Sequence, residues 1–117
     1  MYQLQWIKSL DNKWLDFTRL DLAQVRGGGV YIIWHGGTNP RVVRVGHGQF
    51  AQKFAEHRQN TQLMWYASQG PLFVTWAEVS SEAHRAGIET YLAQQFSPLL
   101  GQQLPSSVPL PVYSPFG

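Results

Sequence analysis

"GGGVYIIWHGGTNPRVVRVGHG", the stretch from Gly27 to Gly48, predicts a β-hairpin. Residues 29–35 are rich in β-branched and aromatic side chains, and the three glycines 27–29 mark their start, a pattern typical of a strand. The next five residues, GGTNP, predict a turn. Residues 41–45, RVVRV, predict a second strand that Gly46 closes. We therefore expect two strands that pair antiparallel.

A helix and a third strand are predicted after the hairpin. Residues 49–60 predict a helix, because Phe50 and Phe54 lie four apart on one face and Asn60 ends the pattern. Residues 71–79 form a nearly continuous apolar run, which favours a central strand of the sheet.

Residues 80–96 predict a second helix. Ser80 or Ser81 would be its N-cap, and Glu82 places an acidic group in its first turn. Pro98 would end it. Before the hairpin, residues 2–6 alternate like a short strand, whereas residues 14–25 are left open between a helix and irregular structure.

Composition excludes several classes of protein. The chain has 117 residues, 44% of them hydrophobic, which is enough for one domain with a core. No stretch approaches the roughly 20 apolar residues of a membrane span, so we expect no membrane partner. There is no cysteine, which excludes disulfides and a thiol nucleophile. Without a secretory leader at the N-terminus, a cytoplasmic location is expected.

Charge is unevenly distributed along the chain. The net charge of +2 does not by itself indicate nucleic acid. Between residues 26 and 58, however, five basic side chains accompany a single acidic one, Glu56. These are Arg26, Arg41, Arg44, Lys53 and Arg58. Such a local field suits phosphate better than a membrane, although cations scattered over solvated faces are the alternative.

The residues and their order resemble the GIY-YIG nuclease domain, a compact α/β module that cuts nucleic-acid phosphodiesters with one divalent metal. Gly29–Tyr31 is similar to the family's Gly-Ile-Tyr motif, and Arg44–Gly46 falls on its Tyr-Ile-Gly motif. Lys53 and His57 occupy the positions of the family's helical arginine and histidine. Glu89, in "GIETYLAQQFSPLL", resembles its metal-binding glutamate.

The resemblance also implies a fold. It covers about residues 28–101, which would form a small three-stranded, mainly antiparallel sheet flanked by helices. An N-terminal extension precedes this core, and residues 102–117 would be an extended, Pro-rich tail. All of these parts would belong to one α/β domain, residues 1–117.

The resemblance further implies a site. Glu89 would hold Mg²⁺ or Mn²⁺, Tyr31 would orient or activate water, and Arg44, Lys53 and His57 would stabilise the phosphate. A phosphodiester is negatively charged, so its hydrolysis requires neutralising groups and an activated water. One carboxylate, several waters and a phosphate can complete a Mg²⁺ shell. The residues expected to contact nucleic acid are Arg41, Arg44, Lys53 and Arg58.

Each site residue also has a plainer interpretation. Glu89 can form a surface pair with Arg85 at i, i+4 spacing, and Tyr31 can be an ordinary core tyrosine. Lys53 can lie over the core with its ammonium in solvent. His57 can border the aromatic face of its helix.

Three departures from the family pattern leave two hypotheses. Arg44 replaces a tyrosine, Lys53 replaces an arginine, and Gly101, Gln102 or Gln103 would have to replace an asparagine. The first hypothesis is a divergent metal-dependent nuclease, with DNA favoured over RNA. The second is a catalytically inactive module of the same fold that binds nucleic acid or a protein partner. A homodimer or a protein partner would supply recognition elements.

Overall fold

A computed structural model describes residues 1–101 and 107–116 of the chain. Within these ranges the strands are β1 (Leu15–Asp16), β2 (Gly28–His35), β3 (Arg41–Gln49) and β4 (Leu72–Glu78). They form one sheet in the order β1-β4-β2-β3, with every neighbouring pair antiparallel. The sequence-based expectation of three strands is therefore wrong. The added strand lies in the segment left open, where Leu15 pairs with Val74.

The helices are α1 (Phe50–Arg58), α2 (Thr61–Trp65) and α3 (Glu82–Phe96). The side chain of Asn60 accepts hydrogen bonds from the backbone N–H groups of Gln62 and Leu63, so it caps α2 as well as following α1. Ser81 caps α3 by accepting from the N–H of His84. The α/β class, the two longer helices and the central position of β4 are confirmed.

The β2–β3 hairpin is longer than the sequence predicts. β3 continues to Gln49, because Gly46 and Gly48 stay in register with β2 instead of ending the strand. Ile33 pairs with Arg44 in the same register as Tyr31 with Gly46, and the register shifts only after Ile33, so that Trp34 pairs with Val42. Directly opposed residues of a sheet lie on the same face, so Arg44 shares the face of Ile33 and Tyr31.

Two apolar clusters cover the two faces of the sheet. One face packs against α1, α2 and the segment before β2, with Phe17, Tyr31 and Phe54 among its buried residues. The other packs against α3 and the C-terminal segment. Its buried members include Val30, Ile32, Ile88, Leu92 and Val112. The sheet is therefore the middle of three layers.

The described part of the tail, residues 107–116, returns to the α3 face. The N–H of Leu110 donates to the carbonyl of Gly87 at 2.9 Å. The strand predicted at residues 2–6 is wrong, since only an isolated parallel bridge joins Tyr2 to Val112. None of the helices within the described ranges has the length and apolar character needed to cross a membrane.

The segment after α3 covers part of the outer edge of β3. The N–H of Leu99 donates to Val42 at 3.1 Å, and the N–H of Leu100 donates to Val43 at 2.9 Å. The glycine-containing end of β3 lies beyond these contacts.

Candidate functional site

A cleft of about 340 Å³ lies at the Gly46–Gly48 end of β3. Four of the five side chains for which the resemblance implies a catalytic role line it, and they come from three elements. They are Tyr31 from β2, Lys53 and His57 from α1, and Glu89 from α3. The remaining lining residues are Gly46, His47, Gly48, Glu56, Glu82 and Arg85.

Tyr31 and His57 form a buried hydrogen-bonded pair in this cleft. The distance between Tyr31 Oη and His57 Nε2 is 2.6 Å, and the two side chains are almost fully buried. Gly46 lies opposite Tyr31 in the hairpin register. A Cβ at Gly46 would overlap the Tyr31 ring and hydroxyl, so glycine is required for this orientation.

Both members of the pair are neutral near pH 7. Burial raises the pKa of Tyr31 well above its usual value, against the opposing effect of the Arg44 guanidinium. Burial also lowers the pKa of His57 to about 4, and the positive charge of Arg44 acts in the same direction. The pair is therefore a polar contact between two uncharged groups.

Arg44 lies behind the cleft and does not line it. Its side chain is 7% exposed, and its Nε is buried without a hydrogen-bond partner among the described residues. Its charge nevertheless reaches Tyr31 and His57, as their pKa shifts indicate. The structure therefore places Arg44 near the phenol, on the same face of the sheet.

Glu89 is buried on α3 and faces β3. Its Oε1 lies 3.1 Å from Nδ1 of His47, a residue that the sequence did not suggest for the site. The alternative of a surface Arg85–Glu89 pair is wrong, because both residues are buried and the contact of Glu89 is with His47.

The donor chemistry at Glu89 fits a hard cation such as Mg²⁺. Magnesium in proteins commonly takes one or two carboxylates, with waters and substrate phosphate as its other ligands. Glu89 supplies such a carboxylate, facing the cleft. Among the described residues, no group of three or more His, Asp or Glu side chains is arranged to hold a metal ion. A metal here would depend on water and substrate for most of its ligands.

Lys53 faces the cleft from α1. Its stem passes over Gly48, where a Cβ would lie 2.9 Å from Lys53 Cε. Its Nζ lies 3.7 Å from Glu56 Oε2, and both side chains are partly exposed. The ammonium of Lys53 therefore lies close to the Glu56 carboxylate, and the Lys53 side chain also lines the cleft.

Arg41 and Arg58, which the sequence suggested as nucleic-acid contacts, do not line the cleft. Arg41 lies at the opposite end of β3 and donates to the carbonyl of Ser97 at 3.2 Å. Arg58 donates to the carbonyls of Phe17 and Leu20, which ties α1 to the segment before β2. Their role in binding nucleic acid stays a prediction.

Arg41 instead borders a groove of about 390 Å³ at the far end of β3. Its walls are mainly aromatic and apolar and include Trp34, Phe96 and Phe116. This groove contains no carboxylate or histidine among the described residues that line it. It therefore lacks the groups that hydrolysis of a phosphodiester requires.

The sequence did not suggest His47 or Arg85 for the site. His47 lies two residues after Val45, so strand periodicity puts both side chains on the same face of β3, toward α3. A strand that ends at Gly46, as the sequence predicts, does not include His47. Of the three candidates for the family's asparagine, Gly101 is exposed and outside this cleft. The other two, Gln102 and Gln103, lie outside the described residues.

No protein-family model matches this chain, and no curated protein or solved structure matches it either. The likeness to GIY-YIG domains therefore rests on the motif residues and their order along the chain.

Proposed function

We propose that this chain is a divergent GIY-YIG-type nuclease that hydrolyses nucleic-acid phosphodiester bonds with Mg²⁺ or Mn²⁺. The supporting observation is the convergence of Tyr31, Lys53, His57 and Glu89 on one cleft. These residues occupy motif positions that lie far apart along the chain and on three different elements. Their arrival in one cleft is not required by the packing of the core.

Glu89 would hold the metal ion, which polarises a phosphate oxygen and activates water when bound. The negative charge of Glu89 raises the pKa of Tyr31, so neutralising that charge makes the phenol more acidic. His57 lies within hydrogen-bond distance of the phenol and would hold its orientation. Tyr31 would then orient the attacking water, or activate it after the phenol proton has passed to solvent.

The positive side chains would stabilise the charge that develops on the phosphate. Lys53 lines the cleft, and Arg44 lies behind Tyr31. Preorganised cations in a partly buried site act more strongly than they would in water. DNA is the favoured substrate over RNA in this proposal, and the cytoplasm is the expected location. A homodimer or a protein partner would provide target recognition.

A catalytically inactive module that binds nucleic acid or a protein is the second candidate. It is favoured by the existing contact of Glu89 with His47 and by the cation at Arg44 in place of a second phenol. The low basicity of His57 also favours it, since a pKa of about 4 makes a weak base near pH 7.

A cleavage assay with matched variants tests the proposal. Supercoiled plasmid, single-stranded DNA and RNA are incubated with wild type, Glu89→Gln or Glu78→Gln, in Mg²⁺ or Mn²⁺. Glu78 is exposed and outside the cleft, so its variant controls for the loss of one carboxylate. Wild type and Glu78→Gln are expected to cleave, and Glu89→Gln to be slower by roughly 100-fold or more. Absence of cleavage by wild type, or equal cleavage by all three, contradicts the proposal.

A further inference from the structure

Arg85 is a buried cation in the wall of the cleft. It lies near the start of α3 and is 8% exposed. Its Nε donates to the carbonyl of Val79 at 2.6 Å, which fixes the plane of the guanidinium. Gly28 provides the space for it, since a Cβ there would lie 2.9 Å from Nη2 of Arg85.

Among the described residues, the terminal nitrogens of Arg85 have no hydrogen-bond partner. The one hydrogen bond that its side chain makes there is the bond from Nε to Val79. None of the carboxylates in that part of the chain, Glu82 of the same cleft included, forms an ion pair with it, and Glu89 and Glu56 contact His47 and Lys53 instead. The terminal nitrogens are open to the cleft, so solvent or a bound ligand supplies their acceptors, and an anionic ligand would also compensate the cation, which is costly to bury alone.

Arg85 is better suited to bind a phosphate than Lys53 is. Lys53 is a flexible point charge with a carboxylate 3.7 Å away. A guanidinium held by its Nε presents two parallel N–H donors, a geometry that matches two oxygens of one phosphate. The chemistry of the free donors therefore points to an oxyanion.

The charge of the cleft determines when that oxyanion binds. Three carboxylates, from Glu56, Glu82 and Glu89, line it together with two cations, from Lys53 and Arg85. The formal charge of the lining is thus −1 when its histidines are neutral. A divalent cation at Glu89 reverses this sign, so the cation and the phosphate should bind cooperatively.

We infer that Arg85 binds a phosphodiester group of the nucleic-acid backbone inside this cleft, where oxygens of the phosphate accept hydrogen bonds from its terminal N–H groups. The choice of nucleic acid as the source of the phosphate rests on the proposed function. The assignment of Arg85 as the anion-binding side chain rests on its burial and its missing partners.

Fluorescence anisotropy of a short, fluorescein-labelled single-stranded DNA tests this inference, with Ca²⁺ as the divalent ion. Arg85→Gln is expected to weaken binding roughly tenfold or more, because it removes a charge-assisted contact. The dependence of log K on log salt should become less steep by about 0.7, as for the loss of one phosphate contact. Arg19→Gln, at an exposed position outside the cleft, should change neither quantity.

Two further variants guard against misfolding of Arg85→Gln, which thermal unfolding would detect. Arg85→Lys keeps the charge without the fork and should bind with intermediate affinity. Gly28→Ala places a methyl group against the guanidinium and should weaken binding while leaving the net charge unchanged. Folded variants of Arg85 and Gly28 that bind like Arg19→Gln, with the same salt dependence, overturn the inference.

Two ligand comparisons identify the source of the phosphate. The same oligonucleotide with neutral methylphosphonate linkages should bind wild type more weakly than the natural strand does. For Arg85→Gln, the difference in affinity between the two strands should be smaller. Equal binding of the neutral and natural strands to wild type overturns the inference. Inorganic phosphate that binds as tightly as the oligonucleotide, dependent on Arg85, overturns the assignment to nucleic acid.

Plasmid cleavage measured in parallel separates this inference from the proposed function. Arg85-dependent DNA binding by a wild type that does not cleave supports the inference and contradicts the nuclease. Cleavage by wild type together with unchanged DNA binding by Arg85→Gln contradicts the inference alone. Failure of wild type to bind DNA contradicts both.

Discussion

The hydroxyl of Tyr31 reaches Nε2 of His57, 2.6 Å away, past a β3 position where Gly46 contributes no side chain. The contact joins a central strand to the helix that follows the hairpin. Burial keeps the phenol protonated and the imidazole neutral. Moving the phenol proton to the imidazole would create a buried ion pair, so at neutral pH the contact holds the phenol in place and does not ionise it.

Replacement of Tyr31 by Phe removes the hydroxyl and leaves the ring that packs against Phe54. Nuclease turnover is expected to fall roughly 100-fold or more, the range for loss of a group that transfers a proton. The free energy of unfolding should change by only about 1 kcal/mol, the contribution of one hydrogen bond. Cleavage rates and urea unfolding measure the two effects. Tyr113→Phe, at an exposed position, is the control, and equal turnover in both variants would count against a role for Tyr31.

The stability of the protein should decrease on acidification because of His57. The pKa of His57 is about 4 in the folded protein, compared with 6.5 for an unperturbed histidine. Between these two pH values the unfolded chain binds a proton that the folded protein does not. The free energy of unfolding therefore decreases as the pH is lowered. This contribution is fully present above about pH 6.5 and is lost toward pH 4. Urea unfolding across this range should show a smaller decrease for His57→Gln, and identical slopes would refute the assignment.

Gly46→Ala should disrupt the Tyr31–His57 pair without altering either residue. The new methyl group would occupy space that the Tyr31 ring and hydroxyl fill, so the phenol must move. Overpacking of this kind costs about 1–3 kcal/mol of the free energy of unfolding. Gly101→Ala is a matched control, since no atom of the described residues lies within 4 Å of a Cβ at that exposed position. Urea unfolding that gives the two variants equal stability would show that Gly46 is not required.

His47 should contribute to metal affinity through its contact with Glu89. Loss of a group that orients a metal ligand typically weakens metal binding 10–100-fold. His47→Gln is therefore expected to raise the Kd for Mn²⁺ by roughly this factor, and Glu89→Gln to abolish specific binding. Titration of free Mn²⁺ by electron paramagnetic resonance measures both. His84→Gln, at an exposed position of α3, controls for loss of an imidazole, and unchanged Mn²⁺ affinity in Glu89→Gln would exclude this site.

The parts of the fold that could be predicted are those with a local signal. Ser81 and the apolar spacing of α3 lie within one segment, and so does the β-branched run of β2. β1 could not be predicted, because two residues carry no periodicity and its partner Val74 lies far along the chain. The sequence predicts that β3 ends at Gly46, because glycines usually weaken a strand. In the structure Gly46 lies within the strand and accommodates Tyr31.

The same distinction applies to the site. Motif position selected Tyr31, Lys53, His57 and Glu89, and the cleft contains all four. Arg85 and His47 carry no motif of their own, since their place depends on how the end of β3 meets α3. Charge along the chain favoured Arg58, whose guanidinium binds backbone carbonyls of this chain and does not line the cleft, and its contact with nucleic acid stays a prediction.

The contacts of Leu99 and Leu100 with the outer edge of β3 also bear on self-association. An open strand edge offers unpaired N–H and C=O groups to which a strand of another molecule can add. β1, at the opposite edge, has only two residues, and the segment after α3 occupies the carbonyls of Val42 and Val43. Among the described residues, the longest uncovered stretch of sheet edge is therefore the glycine-containing end of β3, residues 44–49, which is where a strand of another molecule could add.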